Sequence, residues 1–435
     1  MSPRIAIVGG GPAGLTLGVL LHKQNIPFTI FERRSQPTAA EIARPSGMLD
    51  LHEGSGLDAI AACGLTDEFL PLAGECSQQF WIANRDGDVL AAANGQGKRP
   101  EISRNNLGAL LRGHVPAESI RWGHRLASAS RGDGGIVLDF GHTRATFDLV
   151  VGADGAWSKV RSSALLLPDT KPRFTGMHCI TLTVTHLTTR FPHLAAMVGS
   201  GSFLALGRRH AVISQRGPLD SARLYLWLTV ADEHFATTAG LAGKPAAAAK
   251  DVLLQRDDLL QTFGPRVQDL VRTACDHDVA TDRDDGLLDV RAFYTLPHGC
   301  MWPSQTGVTL MGDAAHLMLP NGEGVNQAML DALHLSRAIG KAYATMVAAT
   351  ATEGAAASEA RTQAGTQVFL EVLDLETYEK EMTARAVEEG EETDERIGRM
   401  FGSDDAAYEF TAVMNAMKSK AMAKGQEAQP EEKPQ

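Results

Sequence analysis

"RIAIVGGGPAGL", residues 4–15, carries an apolar run, Ile5-Ala6-Ile7-Val8, straight into three glycines, then a proline, an alanine and a fourth glycine. The spacing of Gly9, Gly11 and Gly14 satisfies G-x-G-x-x-G. The first glycine permits a tight turn, the second lets the backbone approach a pyrophosphate, and the third lets helix pack on strand. Free N–H groups and the positive end of the helix then meet the phosphates. The helix is predicted from Pro12 to Lys23 and a second strand over "FTIF", 28–31. That is a βαβ unit and predicts a parallel sheet.

Glu32 follows the second strand, where a carboxylate accepts from a ribose 2'-OH. An acid there favours an unphosphorylated ribose, so this site takes FAD or NAD rather than NADP. Arg33 beside it is assigned to the same site.

Two later stretches bear on that choice. "GADGAWSKVR" (152–161) sets Asp154-Gly155 after a strand, and "TLMGDAAHLMLP" (309–320) sets Gly312-Asp313 after another. Taken singly, each Asp suits a helix cap. Each also suits a polyol acceptor, and only FAD carries a ribityl chain. In this order behind the glycine motif, the pair selects FAD.

The trio resembles the group A, single-component FAD-dependent aromatic monooxygenases. Asp154, Gly155, Ser158 and Arg161 match their DG fingerprint, and Gly312 to His316 with Pro320 match their GD fingerprint. "GMLDLHEGSG" (47–56), "PEISRNNLGALL" (100–111) and "GVNQAMLDALHLS" (324–336) look closest to the tetracycline-inactivating branch. The resemblance implies that Glu32 holds the adenosine ribose, Arg104 and Asp50 contact FAD, and Asp313 binds ribityl or ribose hydroxyls. It assigns Arg44 to a transient NADPH or NADH. It places the backbone of Gly322, Gly324, Val325 and Asn326 beside the flavin ring, and His316 within the cofactor signature. It further implies reduction by NAD(P)H, reaction with O2 to a flavin C4a-hydroperoxide, and oxygen transfer to an electron-rich carbon.

The predicted fold is α/β: a Rossmann-like FAD-binding domain with an inserted, mostly antiparallel β-sheet substrate domain and C-terminal helices. The FAD-binding domain is expected over 1–170 and 300–345, and the sheet over 171–299. C-terminal helices are expected over 346–422, with a break at Gly354, and a disordered tail over 423–435. "QVFLEVLDLETYEKEMTARAVEE" (367–389) reads as one amphipathic helix.

In the sheet domain, Thr181, Phe203, Tyr225 and Trp227, with Met318, are the candidate substrate contacts; the aromatics equally suit a sheet core. "SGSFLALG" and "LYLWLTV" look apolar, which suits a polycyclic aromatic or alkaloid-type substrate from secondary metabolism better than tetracycline. No general base is named.

Composition sets outer limits. The 435 residues carry a formal net charge of -11, which argues against a nucleic-acid partner. The five cysteines are scattered with no C-x-x-C pair, so neither a disulfide framework nor a metal site is expected. No run of 18 apolar residues or secretory leader is visible. A cytoplasmic monomer is expected.

Overall fold

The computed structural model describes residues 2–74, 77–94, 99–279, 285–351 and 359–427. Its first layer is a five-stranded parallel sheet. Ile5–Val8 lies at the centre, paired with Thr29–Phe31 on one side and Leu149–Gly152 on the other. Val308–Leu310 and Ile120–Arg121 form the edges. Every residue of Ile5–Val8 is buried, as a parallel strand covered on both faces requires. The helix Pro12–Lys23 packs against the long helix Gly324–Ala351. A three-stranded meander over 128–147 packs on Phe31 through Phe140 and Phe147.

The second layer is a seven-stranded sheet. Its C-terminal portion is the expected antiparallel run: Asp289–Thr295, Arg173–Val184, Ser221–Thr229, His210–Gly217 and Ser202–Gly207. Two strands that the sequence placed in the FAD-binding domain, Gln79–Asn84 and Val89–Asn94, complete it. The first pairs in parallel with Ser202–Gly207, Trp81 opposite Phe203. The sheet is therefore not confined to 171–299. A pairing between residues more than a hundred positions apart has no local signature.

One face of this sheet packs on the helices between 246 and 277, with Phe203, Ala205, Leu224, Leu226 and Leu228 in that core. The other face carries Ile82, Leu204, Leu206, Ala211 and Trp227, covered by Ile397, Met400 and Phe401 of a C-terminal helix.

The expected single helix over 367–389 is two helices, Glu359–Val372 and Leu375–Phe401. Asp374 divides them, because its side chain accepts from the Thr377 N–H and caps the second. The helix Gly324–Ala351 crosses the expected boundary at 345, and Ala406–Glu427 continues into the segment expected to be disordered. Residues 428–435 and Gly354 lie outside the described residues.

Candidate active site

The glycine loop shows two different demands. A Cβ on Gly14 would overlap the Gly9 carbonyl oxygen, and one on Gly9, at φ +116°, would overlap the Ala153 carbonyl. Those two glycines are required by the protein's own packing. Gly11 is different: a Cβ there meets nothing within 4 Å, and no side chain caps the helix it opens. Gly10 N–H donates to the Glu32 carboxylate at 2.8 Å, and Arg34 N–H to its other oxygen at 2.9 Å. Glu32 thus stands at the mouth of the loop, while Arg33 is exposed beside it.

The DG and GD motifs meet through Arg161. Its side chain is fully buried and donates to the carbonyls of Ala314 at 2.9 Å and Ala156 at 2.6 Å. Asp154 accepts from the Ser158 hydroxyl and from the Lys159 and Val160 N–H groups. Its oxygens hold the DG turn; no helix follows before Arg173, so it is not a helix cap.

Asp313 is arranged otherwise. It is accessible at the start of its short helix, and among the described residues no protein group donates to its carboxylate. Desolvation by surrounding protein pushes its pKa up, opposed by His316, Arg104 and Arg161. Arg104 lines the same cleft. It begins the helix Arg104–Gly113, which Ser103 caps through the Asn106 N–H. Its guanidinium has no protein acceptor among the described residues, and its field reaches Tyr225, Asp313, Arg223 and Arg291. An unpaired acid and an unpaired base in one cleft, beside a loop with open space at Gly11, fit FAD. The loop would take its pyrophosphate, and Asp313 would accept from its hydroxyls.

The loop before Arg104 is tightly tied. Arg104 N–H donates to the Gly47 carbonyl at 2.9 Å, and Asn105 Nδ2 donates to the Arg44 carbonyl at 2.9 Å. The Arg44 side chain is exposed. Gly47 leaves room for Tyr225, whose hydroxyl would stand 2.7 Å from a Cβ there.

Beyond Asp313 the chain runs to Gly322, Gly324, Val325 and Asn326. Asn326 is fully buried; its Nδ2 donates to the Asp50 carbonyl at 2.9 Å and its Oδ1 accepts from His52 N–H at 3.0 Å. The Asp50 carboxylate faces Gly322, at 3.5 Å from where a Cβ would lie. Nothing stands within 4 Å of a Cβ at Gly324.

The candidate substrate residues divide by strand parity. Thr181 pairs with Tyr225, and Cys179 with Trp227, so these side chains share one face, that of the C-terminal helix. Trp227 stacks on Phe401 at 5.8 Å and meets Phe293 edge-on at 5.1 Å. Phe203 has the wrong parity. It is fully buried among the helices behind the sheet, whereas Leu204 and Leu206 lie on the opposite face, under the C-terminal helix. Met318 Sδ lies near Thr393 of the C-terminal helix and the Asn321 amide, and Leu319 belongs to the same buried cluster as Trp227.

Sequence reading missed Arg223, although it has the parity of Tyr225 and Trp227 within "ARLYLWLTV". Arg223 donates to the Thr183 hydroxyl at 3.0 Å and lies 5.5 Å over the Tyr225 ring. Gln215 stands opposite Arg223, near the Tyr225 hydroxyl. This face is therefore polar at one end and apolar at the other. His52 was missed as well, because a histidine in "LDLH" has no distinguishing spacing.

His316 is held as a structural group. Its Nε2 lies 2.6 Å from the fully buried Asp331, which also accepts from the Gly312 N–H. The neighbouring carboxylate keeps the His316 pKa above its usual value against the opposing effect of burial.

Comparison with known proteins places this geometry. An FAD binding domain family model matches residues 3–242. Monooxygenase asqM of Emericella nidulans is 33% identical over 453 residues, covering 94% of this chain and 98% of that protein. Among solved structures, Klebsiella pneumoniae HpxO complexed with FAD and uric acid superposes with a TM-score of 0.68 at 18% identity, covering 94% and 91% of the two chains. Tetracycline destructase Tet(51) shares the fold at a TM-score of 0.59 and 15% identity, covering 91% and 96%. FAD is the cofactor, and the chain belongs to the FAD binding domain family of flavin-dependent monooxygenases.

Proposed function

We propose that this enzyme uses NAD(P)H and O2 to hydroxylate or epoxidise a polycyclic aromatic or alkaloid-type molecule carrying a polar group at one edge. One observation carries the substrate reading: the cleft face of the seven-stranded sheet is amphipathic. Ile213, with Trp227 beneath Phe401, forms the apolar part, and Thr181, Tyr225 and Arg223 a polar end. The apolar part removes a flat ring system from water, at about 25 cal/mol per Å² buried. The polar end orients it by hydrogen bonds. This narrows the expectation of an apolar pocket, since Arg223 and Gln215 share that surface.

Bound FAD supplies the oxidation-reduction chemistry. The residues bind, orient and exclude water. Arg104 and Asp313 hold the cofactor from one side of the cleft, and Phe401 and Trp227 close the other. Water exclusion matters because an exposed reaction centre wastes reducing equivalents. Arg44, exposed at the loop beside Arg104, is the candidate contact for the nicotinamide nucleotide.

We also propose a cytoplasmic location, since scattered cysteines with no C-x-x-C pair suit a reducing compartment. No helix among the described residues is long and apolar enough to cross a membrane.

A screen of fused-ring phenols, quinolones and alkaloids tests this reading. Substrates should stimulate NAD(P)H oxidation under air and gain the mass of one oxygen atom. Oxygen uptake with no oxygenated product for any of them would replace this reading with that of an oxidase.

A further inference from the structure

His52 lies in the "LDLH" stretch just after the strand Met48–Asp50. Its side chain is mostly buried, and both ring nitrogens meet carboxylates. Nε2 is 2.7 Å from Asp50, and Nδ1 is 2.9 Å from Glu323. The two acids come from different parts of the chain. Asp50 belongs to the strand, and Glu323 sits between Gly322 and Gly324, where the long helix begins. The backbone is knitted at the same place, because Asn326 bonds to both His52 N–H and the Asp50 carbonyl.

We propose that His52 is a positioning residue that clamps the 322–326 segment to the Met48–Asp50 strand and sets the charge presented to the flavin. This rests on the reading that 322–326 faces the cofactor. The clamp is a salt-bridged imidazolium between two carboxylates, so the trio carries one net negative charge. With a neutral side chain at 52 it would carry two. Reduction adds negative charge to the flavin, so an extra carboxylate charge at this edge disfavours it.

The surroundings preserve that logic. The carboxylates hold the His52 pKa up to about 9 against the opposing effect of burial. Asp50 also feels Arg99. From the C-terminal helix, Glu389 faces Glu323, and Arg396 offsets it. Arg396 also donates to the Asn321 carbonyl at 2.9 Å, bracing the same segment from the far side.

A charge cycle on the FAD-loaded enzyme tests the proposal. The midpoint potential of bound FAD is measured by spectroelectrochemistry at pH 7 for the wild type, His52→Gln, Glu323→Gln and the double variant. His52→Gln adds one net negative charge and should lower the potential. Glu323→Gln removes one and should raise it. The double variant restores the wild-type charge and should return the potential toward the wild-type value. A merely structural role predicts shifts of one sign and no restoration. If His52→Gln fails to fold, the direction of the Glu323→Gln shift decides alone. Unchanged potentials, or shifts of the same sign in both single variants with FAD bound, overturn the proposal. If the wild type binds no FAD, the cofactor reading fails first and takes the proposal with it. If FAD binds but the potentials do not respond, only the proposal fails.

Discussion

His316 Nε2 lies 2.6 Å from Asp331 Oδ2, and the other oxygen of that carboxylate takes Arg385 of the C-terminal helix at 3.0 Å. Asp331 is fully buried and also accepts from the Gly312 N–H at 3.0 Å. One carboxylate therefore joins the GD turn, the long helix and the C-terminal helix. Asp331→Ala takes the shared carboxylate away from His316 and the partly exposed Arg385, which costs about 3 kcal/mol. Urea unfolding should show that loss, together with weaker FAD retention. Wild-type stability in this variant would remove the network from the account of the fold.

The two kinds of glycine separate folding from binding. Gly14→Ala overlaps the Gly9 carbonyl and should yield little folded protein. Gly11→Ala meets no protein atom within 4 Å, so it should fold normally and lose FAD. Circular dichroism paired with flavin absorbance checks both. A Gly11→Ala protein with full flavin content would mean that nothing approaches that backbone.

Asp313 has no protein donor among the described residues, so its carboxylate is free to serve the cofactor. Asp313→Ala should weaken FAD binding by about tenfold to a hundredfold, the range for losing a hydrogen bond to a charged group. Flavin fluorescence on dilution reads the dissociation constant. Asp154→Ala should act through stability, because its oxygens hold Ser158, Lys159 and Val160.

Parity on the seven-stranded sheet gives a paired test. Phe203→Ala empties the core behind the sheet and should cost about 3–5 kcal/mol, with turnover per folded molecule little changed. Tyr225→Phe keeps the ring and removes a hydroxyl from the cleft face. It should raise KM for a substrate found in the screen while leaving the melting temperature near that of the wild type. A reversed pattern would invert the assignment of the two faces.

The His52 clamp also makes stability depend on pH. Its pKa is raised from 6.5 to about 9, so the native state binds the extra proton between those values. The clamp's contribution is full below about pH 6.5 and is lost as pH rises through 9, at most about 3 kcal/mol. Unfolding free energy should decline across that window, and less steeply in His52→Gln. Parallel profiles for the two proteins would show that His52 does not titrate there.

The sequence by itself determined the dinucleotide loop, the choice of FAD, and the order of a parallel layer, a β-rich middle and terminal helices. Those are local matters: glycine spacing, an acid at a strand end and runs of β-branched residues act within a few positions of one another. Only the tertiary structure decided which side chains share a surface. Phe203 and Tyr225 look alike in sequence, and a one-residue difference in register sends them to opposite faces. Strands 79–94 joined the middle sheet through a partner more than a hundred residues away. His52 gained its role because Glu323, 271 positions later, reaches its other ring nitrogen. Side-chain period is written along the chain, but register and long-range pairing are set by how whole layers bury their apolar faces together.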